Sequence, residues 1–151
     1  MNYVADIFLN KILQVAILSW FIAQAIKVII TLIKDRRFDF TRMFGSGGMP
    51  SSHASFTVSL ATAVGFETSF SSVEFALAAA FAMVVMYDAT GVRRSAGEQA
   101  KILNKIVESM RYKEPSQAGK KLKELLGHTP FEVFAGAVLG IIVAIIFAFN
   151  T

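Results

Sequence analysis

The chain has 151 residues, enough for one domain, and 54% of them are hydrophobic, with a mean hydropathy of +0.54. A soluble domain of this size carries more charge and fewer apolar residues, so the soluble globular class is excluded. There is no cysteine, which rules out disulfides and cysteine-ligated metal, and the formal net charge of +4 is modest.

The placement of that charge says more than its sum. Lys34, Arg36, Arg37 and Arg42 form one basic cluster, residues 93–123 hold a second, and only Lys11 and Lys27 lie outside them. A nucleic-acid binder would not separate its basic clusters by long apolar runs, so no nucleic-acid partner is expected. Loops retained on the cytoplasmic side of a membrane explain the pattern.

Residues 1–10 contain no basic residue, and no small-residue cleavage site follows the first apolar run, so that run reads as a retained span. It covers about residues 12–33, interrupted by Gln14, Ser19, Gln24 and Lys27, and is long enough for a bilayer core of about 30 Å. A polar loop over residues 34–49 follows and ends in Gly45-Ser46-Gly47-Gly48. Pro50, Ser51 and Ser52 then open a second span, about 51–66, rich in Ala, Ser, Thr and Val. After a turn at 67–72 the third span runs over about 73–88, and the fourth over about 130–149. The second and third are short, and a buried hairpin or re-entrant pair is the alternative reading. Small residues in both would let helices pack closely in lipid.

Between the third and fourth spans lies an inserted polar helical segment, about 95–126. Ser95-Ala96-Gly97-Glu98 has the form of a capping box. Ile102, Leu103, Ile106, Val107 and Met110 then make one apolar stripe at helical spacing. Pro115 breaks that helix, and a second short one is expected near 117–126, closed by Gly127. Such helices lie on the membrane surface or on the protein. The sum is a single all-α membrane domain over 1–151, multi-pass in the cell membrane. Both termini lie outside, and the two basic loops are cytoplasmic.

The candidate chemistry sits at helix mouths on the side of those loops. The two histidines, His53 and His128, each stand where polar sequence enters an apolar helix. Ahead of His53, Gly47 and Gly48 free the backbone to turn its N–H groups toward an anion, and a helix start adds partial positive charge. A flexible loop with a serine cap is the plainer reading. Four residues after His128, Glu132 can orient the imidazole and fix its tautomer. Thr129, Pro130 and Glu132 also form a capping box without any catalytic role. Arg93 and Arg94 suit phosphate oxygens, or serve as a membrane anchor. Lys27 is an ionisable residue within a span, a functional candidate unless it snorkels to the interface. The Phe and Met residues read as lipid-facing and packing groups.

Taken together, GGMPSSHAS, YDATGVRRSAGEQAKILNKI and LGHTPFEVFAG resemble the divergent branch of the type 2 phosphatidic acid phosphatase family, related to acid phosphatases and vanadium-dependent haloperoxidases. The resemblance runs from about residue 20 to residue 142. It implies a four-helix membrane core with the motifs at the helix ends. It implies His128 as nucleophile, the carboxylate of Glu132 as its orienting partner and His53 as general acid. Lys27, Ser51, Ser52, Gly47, Gly48 and Arg93 or Arg94 would hold the phosphate. No metal or other cofactor is required, since cationic side chains carry the charge. The chain departs from the main family in the long segment 95–126, which replaces a short spacer ahead of the histidine if Arg93 or Arg94 is the motif arginine, and at three motif positions. Ser52 stands where the family has Gly, Glu132 where it has Asp, and Lys34-Asp35 where it has Arg-Pro.

Two readings of function follow. One is a membrane-embedded phosphatase that hydrolyses a lipid or isoprenyl phosphate through a histidine nucleophile, with its site on the cytoplasmic side. The other is a non-catalytic membrane protein that keeps the fold and binds an anionic lipid headgroup or joins an assembly. Transport is a weaker third, because few polar groups besides Lys27 and Gln24 line the spans. A homo-oligomer is an open alternative to a monomer.

Overall fold

The computed structural model describes residues 3–35, 48–111 and 127–150, and every element among them is helical. In chain order these are α1 (Tyr3–Leu9), α2 (Lys11–Asp35), α3 (Ser52–Thr68), α4 (Val73–Thr90), α5 (Val92–Arg111) and α6 (Pro130–Asn150). Gly47, the basic residues 36, 37 and 42, and the short helix expected near 117–126 lie outside the described residues.

Polar caps set the helix starts. The Asn10 side chain accepts the Leu13 N–H at 3.0 Å and so separates α1, which periodicity did not indicate, from α2. Ser51 caps α3, and Ser72 caps α4 by accepting the Phe75 N–H at 3.1 Å. The α3–α4 turn closes when Ser69 N–H donates to the Gly65 carbonyl at 3.1 Å.

The expected capping box at Ser95 is corrected here. Gly91 N–H donates to the Tyr87 carbonyl at 2.9 Å and Ser95 N–H to the Gly91 carbonyl at 3.0 Å. Both are helical bonds four residues apart, so the chain turns from α4 into α5 within one residue and Ser95 lies inside α5. The backbone of Gly91 stays in the right-handed helical region, which is why no new cap is needed. Ile102, Leu103, Ile106 and Val107 are exposed, and α5 touches only α4 among the described helices.

The bundle is arranged inside-out relative to a soluble domain. α3 lies at its centre, packed by α2, α4 and α6. Its buried residues are small or hydroxylated: Ser52, Ala54, Ser55, Thr57, Ser59, Ala61 and Gly65. Large apolar side chains face outward instead, among them Ile33, Leu77, Val84, Phe134 and Phe149. Hydrocarbon outside requires that distribution, and the buried hydroxyls then bond within the protein. Ser19 of α2 and Ser55 of α3 share a hydroxyl–hydroxyl bond of 2.7 Å, and Thr57 and Thr62 donate to carbonyls of α3 itself.

Among the described residues, three stretches are long and apolar enough to cross a membrane: Lys11–Ile33, Val73–Ser109 and Pro130–Phe149. α3 has 17 residues, a rise of about 26 Å, which is short of a full hydrocarbon core. The protein is therefore an all-helical membrane protein with α3 enclosed among its longer helices.

α3 and α6 approach closely along one seam. A Cβ added at Gly136 would run into the Ser51 carbonyl oxygen, and one added at Gly140 would stand 2.6 Å from the Ser55 carbonyl oxygen. These glycines are four residues apart on one face of α6, the small-x-x-x-small arrangement that lets two backbones meet in lipid. Two apolar clusters fill the remaining space. Val15, Val143 and Ala144 form one, while Ala54, Ala89 and Val133 form the other, at the end where α3 and α6 begin.

Candidate functional site

The end of α2, the starts of α3 and α6 and the end of α4 meet at one end of the bundle. His128 is the last residue but one before α6, is 3% exposed, and donates its backbone N–H to the Ala89 carbonyl of α4 at 3.1 Å. One carboxylate oxygen of Glu132, Oε2, lies 3.2 Å from His128 Nδ1 and accepts the Thr129 N–H at 2.9 Å. The Thr129 hydroxyl in turn accepts the Glu132 N–H at 3.3 Å. The capping box and the oriented imidazole are thus one structure. A carboxylate facing Nδ1 selects the tautomer protonated there and leaves the lone pair on Nε2.

α3 is fastened to the same turn. Ser51 N–H donates to the Glu132 carbonyl at 2.9 Å, and Ser51 is fully buried. Two residues on, His53 is half-buried, and its ring centre lies 6.4 Å from that of His128 with the planes at 62°. The rings are too far apart to stack. They are near enough for both to contact one small group between them, since each ring nitrogen reaches about 3 Å to a partner.

Lys27 departs from the plainer of its two readings. It does not snorkel: it is 2% exposed, and its Nζ donates to Gln24 Oε1 at 2.8 Å. The reason is its side of α2, which faces the bundle rather than lipid. Gly48 covers its carbon chain, and a Cβ there would lie 3.4 Å from Lys27 Cγ. Gly48 also holds φ at +87°, a conformation that favours glycine. Lys27 is thus a buried basic side chain packed under Gly48, in the segment that leads into α3.

The structure therefore brings Lys27 to Gly48, Ser51 to Glu132, and His53 to His128. Ser52 is buried in the first turn of α3. Arg93 and Arg94 stand in the first turn of α5; their side chains lie outside the described part, as does Gly47. Among the described residues no group of three or more His, Asp or Glu side chains converges to hold a metal ion.

Residues 8–143 match the family model described as the Divergent PAP2 family. The chain belongs to that family. It is similar to the uncharacterized membrane protein YuiD of Bacillus subtilis (strain 168), 44% identical over 137 residues, which cover 84% of this chain and 87% of the relative. No solved structure matches the chain.

Two features of this Divergent PAP2 chain escaped the reading of motifs. One is the Gly136–Gly140 seam, which sets how His128 and Glu132 stand against Ser51 and His53. Its signal was present as a G-x-x-x-G within an apolar segment. The other is a cavity of about 450 Å³ lined by residues of α2, α3 and α4, with His53 in its wall. Trp20, Phe21 and Phe81 line it too, and singly each reads as an ordinary lipid-facing aromatic.

Proposed function

We propose that the protein is a membrane-embedded phosphatase that hydrolyses lipid monophosphates through a phosphohistidine. The observation that carries this reading is the pairing of a His128 ring, held at Nδ1 by Glu132, with a second ring, His53, centred 6.4 Å away. Nε2 of His128 attacks phosphorus and the bond from phosphorus to the ester oxygen breaks. His53 gives its proton to that oxygen, releasing the lipid alcohol. Water then attacks the phosphohistidine, His53 takes the water's proton, and inorganic phosphate leaves with His128 restored. Lys27, the first-turn N–H groups of α3, Ser51 and Arg93 or Arg94 stabilise the charge on the transferring group. The reading includes a four-span topology with α3 as a short central span, and a site on the cytoplasmic side, where the basic loops fall.

The test is purified protein against phosphatidic acid, lysophosphatidic acid and isoprenyl phosphates, with phosphate release as the readout. Hydrolysis that survives His128→Ala removes the mechanism. The second reading, a headgroup-binding protein without turnover, is favoured by one observation: Lys34-Asp35 replaces the Arg-Pro of the main family and so removes a phosphate ligand. Lipid phosphate that co-purifies and is never hydrolysed would decide for it.

A further inference from the structure

Of the two histidines, His53 alone is among the described residues that line the cavity. Ile17, Trp20 and Phe21 of α2 form one wall, Phe56 of α3 its floor, and Phe81 and Val85 of α4 the other wall. Among the described residues, Thr57 is the one polar residue besides His53 that lines it, and the Thr57 hydroxyl donates to the His53 carbonyl at 3.0 Å, inside α3. The lining is therefore hydrocarbon and aromatic surface that leads to an imidazole. Phe21 and Phe81 are 52% and 53% exposed, so the cavity opens sideways onto the outer surface of the bundle, where lipid stands. His128 does not line it and is nearly fully buried.

A site of this form suits an amphiphile whose charged end lies between the rings and whose chain turns away past His53. Building on the phosphatase reading, we propose that this cavity seats the hydrocarbon chain of the lipid phosphate and so aims its ester oxygen at His53. The asymmetry carries the assignment. In an in-line transfer to Nε2 of His128 the leaving oxygen lies opposite the attacking nitrogen, and the assignment puts that oxygen on the side of His53, the ring that lines the apolar cavity. A chain placed there exchanges lipid neighbours for aromatic walls, which adds van der Waals contact and fixes the ester in one orientation. Short, water-soluble phosphates lack that anchor.

The chain contains one tryptophan, Trp20, and it lines this cavity, so the protein carries its own reporter. The experiment titrates purified protein in unbrominated detergent with an alkylphosphonate brominated along its chain, which binds but cannot be hydrolysed. Saturable quenching of Trp20 is expected at a concentration at least about tenfold below that of the matching brominated methyl ester, because only the phosphonate is held at both ends. Val85→Phe narrows the cavity and should raise the half-saturating concentration about tenfold, the loss of roughly two methylene contacts. Phe81→Ala, which removes a wall instead of narrowing the space, is the second variant and should weaken quenching in the same direction. Equal quenching by the phosphonate and the neutral ester, or quenching unchanged in both variants, overturns the assignment, as does no quenching at all. The two readings fail separately. Phosphonate-selective quenching without hydrolysis of any lipid phosphate removes the phosphatase and leaves the cavity. Hydrolysis of lipid and short phosphates with the same kcat/KM, unaltered by Val85→Phe, does the reverse.

Discussion

Gly136→Ala adds one methyl group at the seam that joins α3 and α6. The added carbon would overlap the Ser51 carbonyl oxygen and stand 3.1 Å from Ala54 Cβ, where ordinary contact begins near 3.4 Å. Neither neighbour is the flexible end of a long side chain, so α3 and α6 must move apart by on the order of 1 Å. Overpacking of this kind costs about 1–3 kcal/mol. Stretching the 2.9 Å bond from Ser51 N–H to the Glu132 carbonyl costs about 1 kcal/mol more. The better helix propensity of alanine returns about 1 kcal/mol. A net loss of about 1–3 kcal/mol remains, a fall in Tm of roughly 3–10 °C by circular dichroism in detergent. Activity should fall further than stability, by about 100-fold, because His53 rides on α3 and His128 is held to the first turn of α6 through Glu132. Phe134→Ala, on the outward face of α6 at 66% exposure, is the control and should leave activity within about twofold. A Gly136→Ala protein with unchanged Tm and unchanged turnover would refute the claim that this seam sets the site.

Vanadate should bind more tightly than phosphate, and His128→Ala should abolish that preference while leaving weak phosphate binding, because only a bond to the ring nitrogen distinguishes the two anions; thermal-shift titration in detergent measures both. Glu132→Gln keeps an oxygen for the Thr129 N–H but loses the charge at His128 Nδ1. It should lower kcat with little change in Tm, whereas Glu132→Ala should also cost about 1 kcal/mol of stability through the lost cap. Lys27→Met keeps the volume under Gly48 and removes a buried cation. Calorimetry should show phosphate affinity lower by roughly 10- to 100-fold, and the loss of the bond to buried Gln24 should cost about 1 kcal/mol of stability.

Much of the local structure around the candidate site was legible because its signals are local. Thr129, Pro130 and Glu132 start a helix wherever they stand together, since the cap satisfies N–H groups within one turn, and Ser51 does the same for α3. The order of apolar segments follows from bilayer thickness, which acts on each segment alone. Ser95 shows the limit of that approach. Its box pattern was sound, but a cap forms only where a helix begins, and Gly91 let the preceding helix continue.

What tertiary structure decided is which face of each helix meets which neighbour. The sequence places Lys27 in a span, yet only the packing of α2 turns it inward beneath Gly48 instead of outward to the interface. His53 and His128 are 75 positions apart in the sequence, and no local interaction sets the 6.4 Å between their rings. That distance comes from the close approach of Gly136 and Gly140 to Ser51 and Ser55, and from the bonds of Ser51 and His128 to carbonyls on other helices. Trp20, Phe21, Phe56 and Phe81 are four unremarkable aromatics until α2, α3 and α4 enclose a cavity between them. Hydropathy and caps are properties of a few consecutive residues, whereas a cavity or a pair of rings exists only once the helices that carry them are packed together.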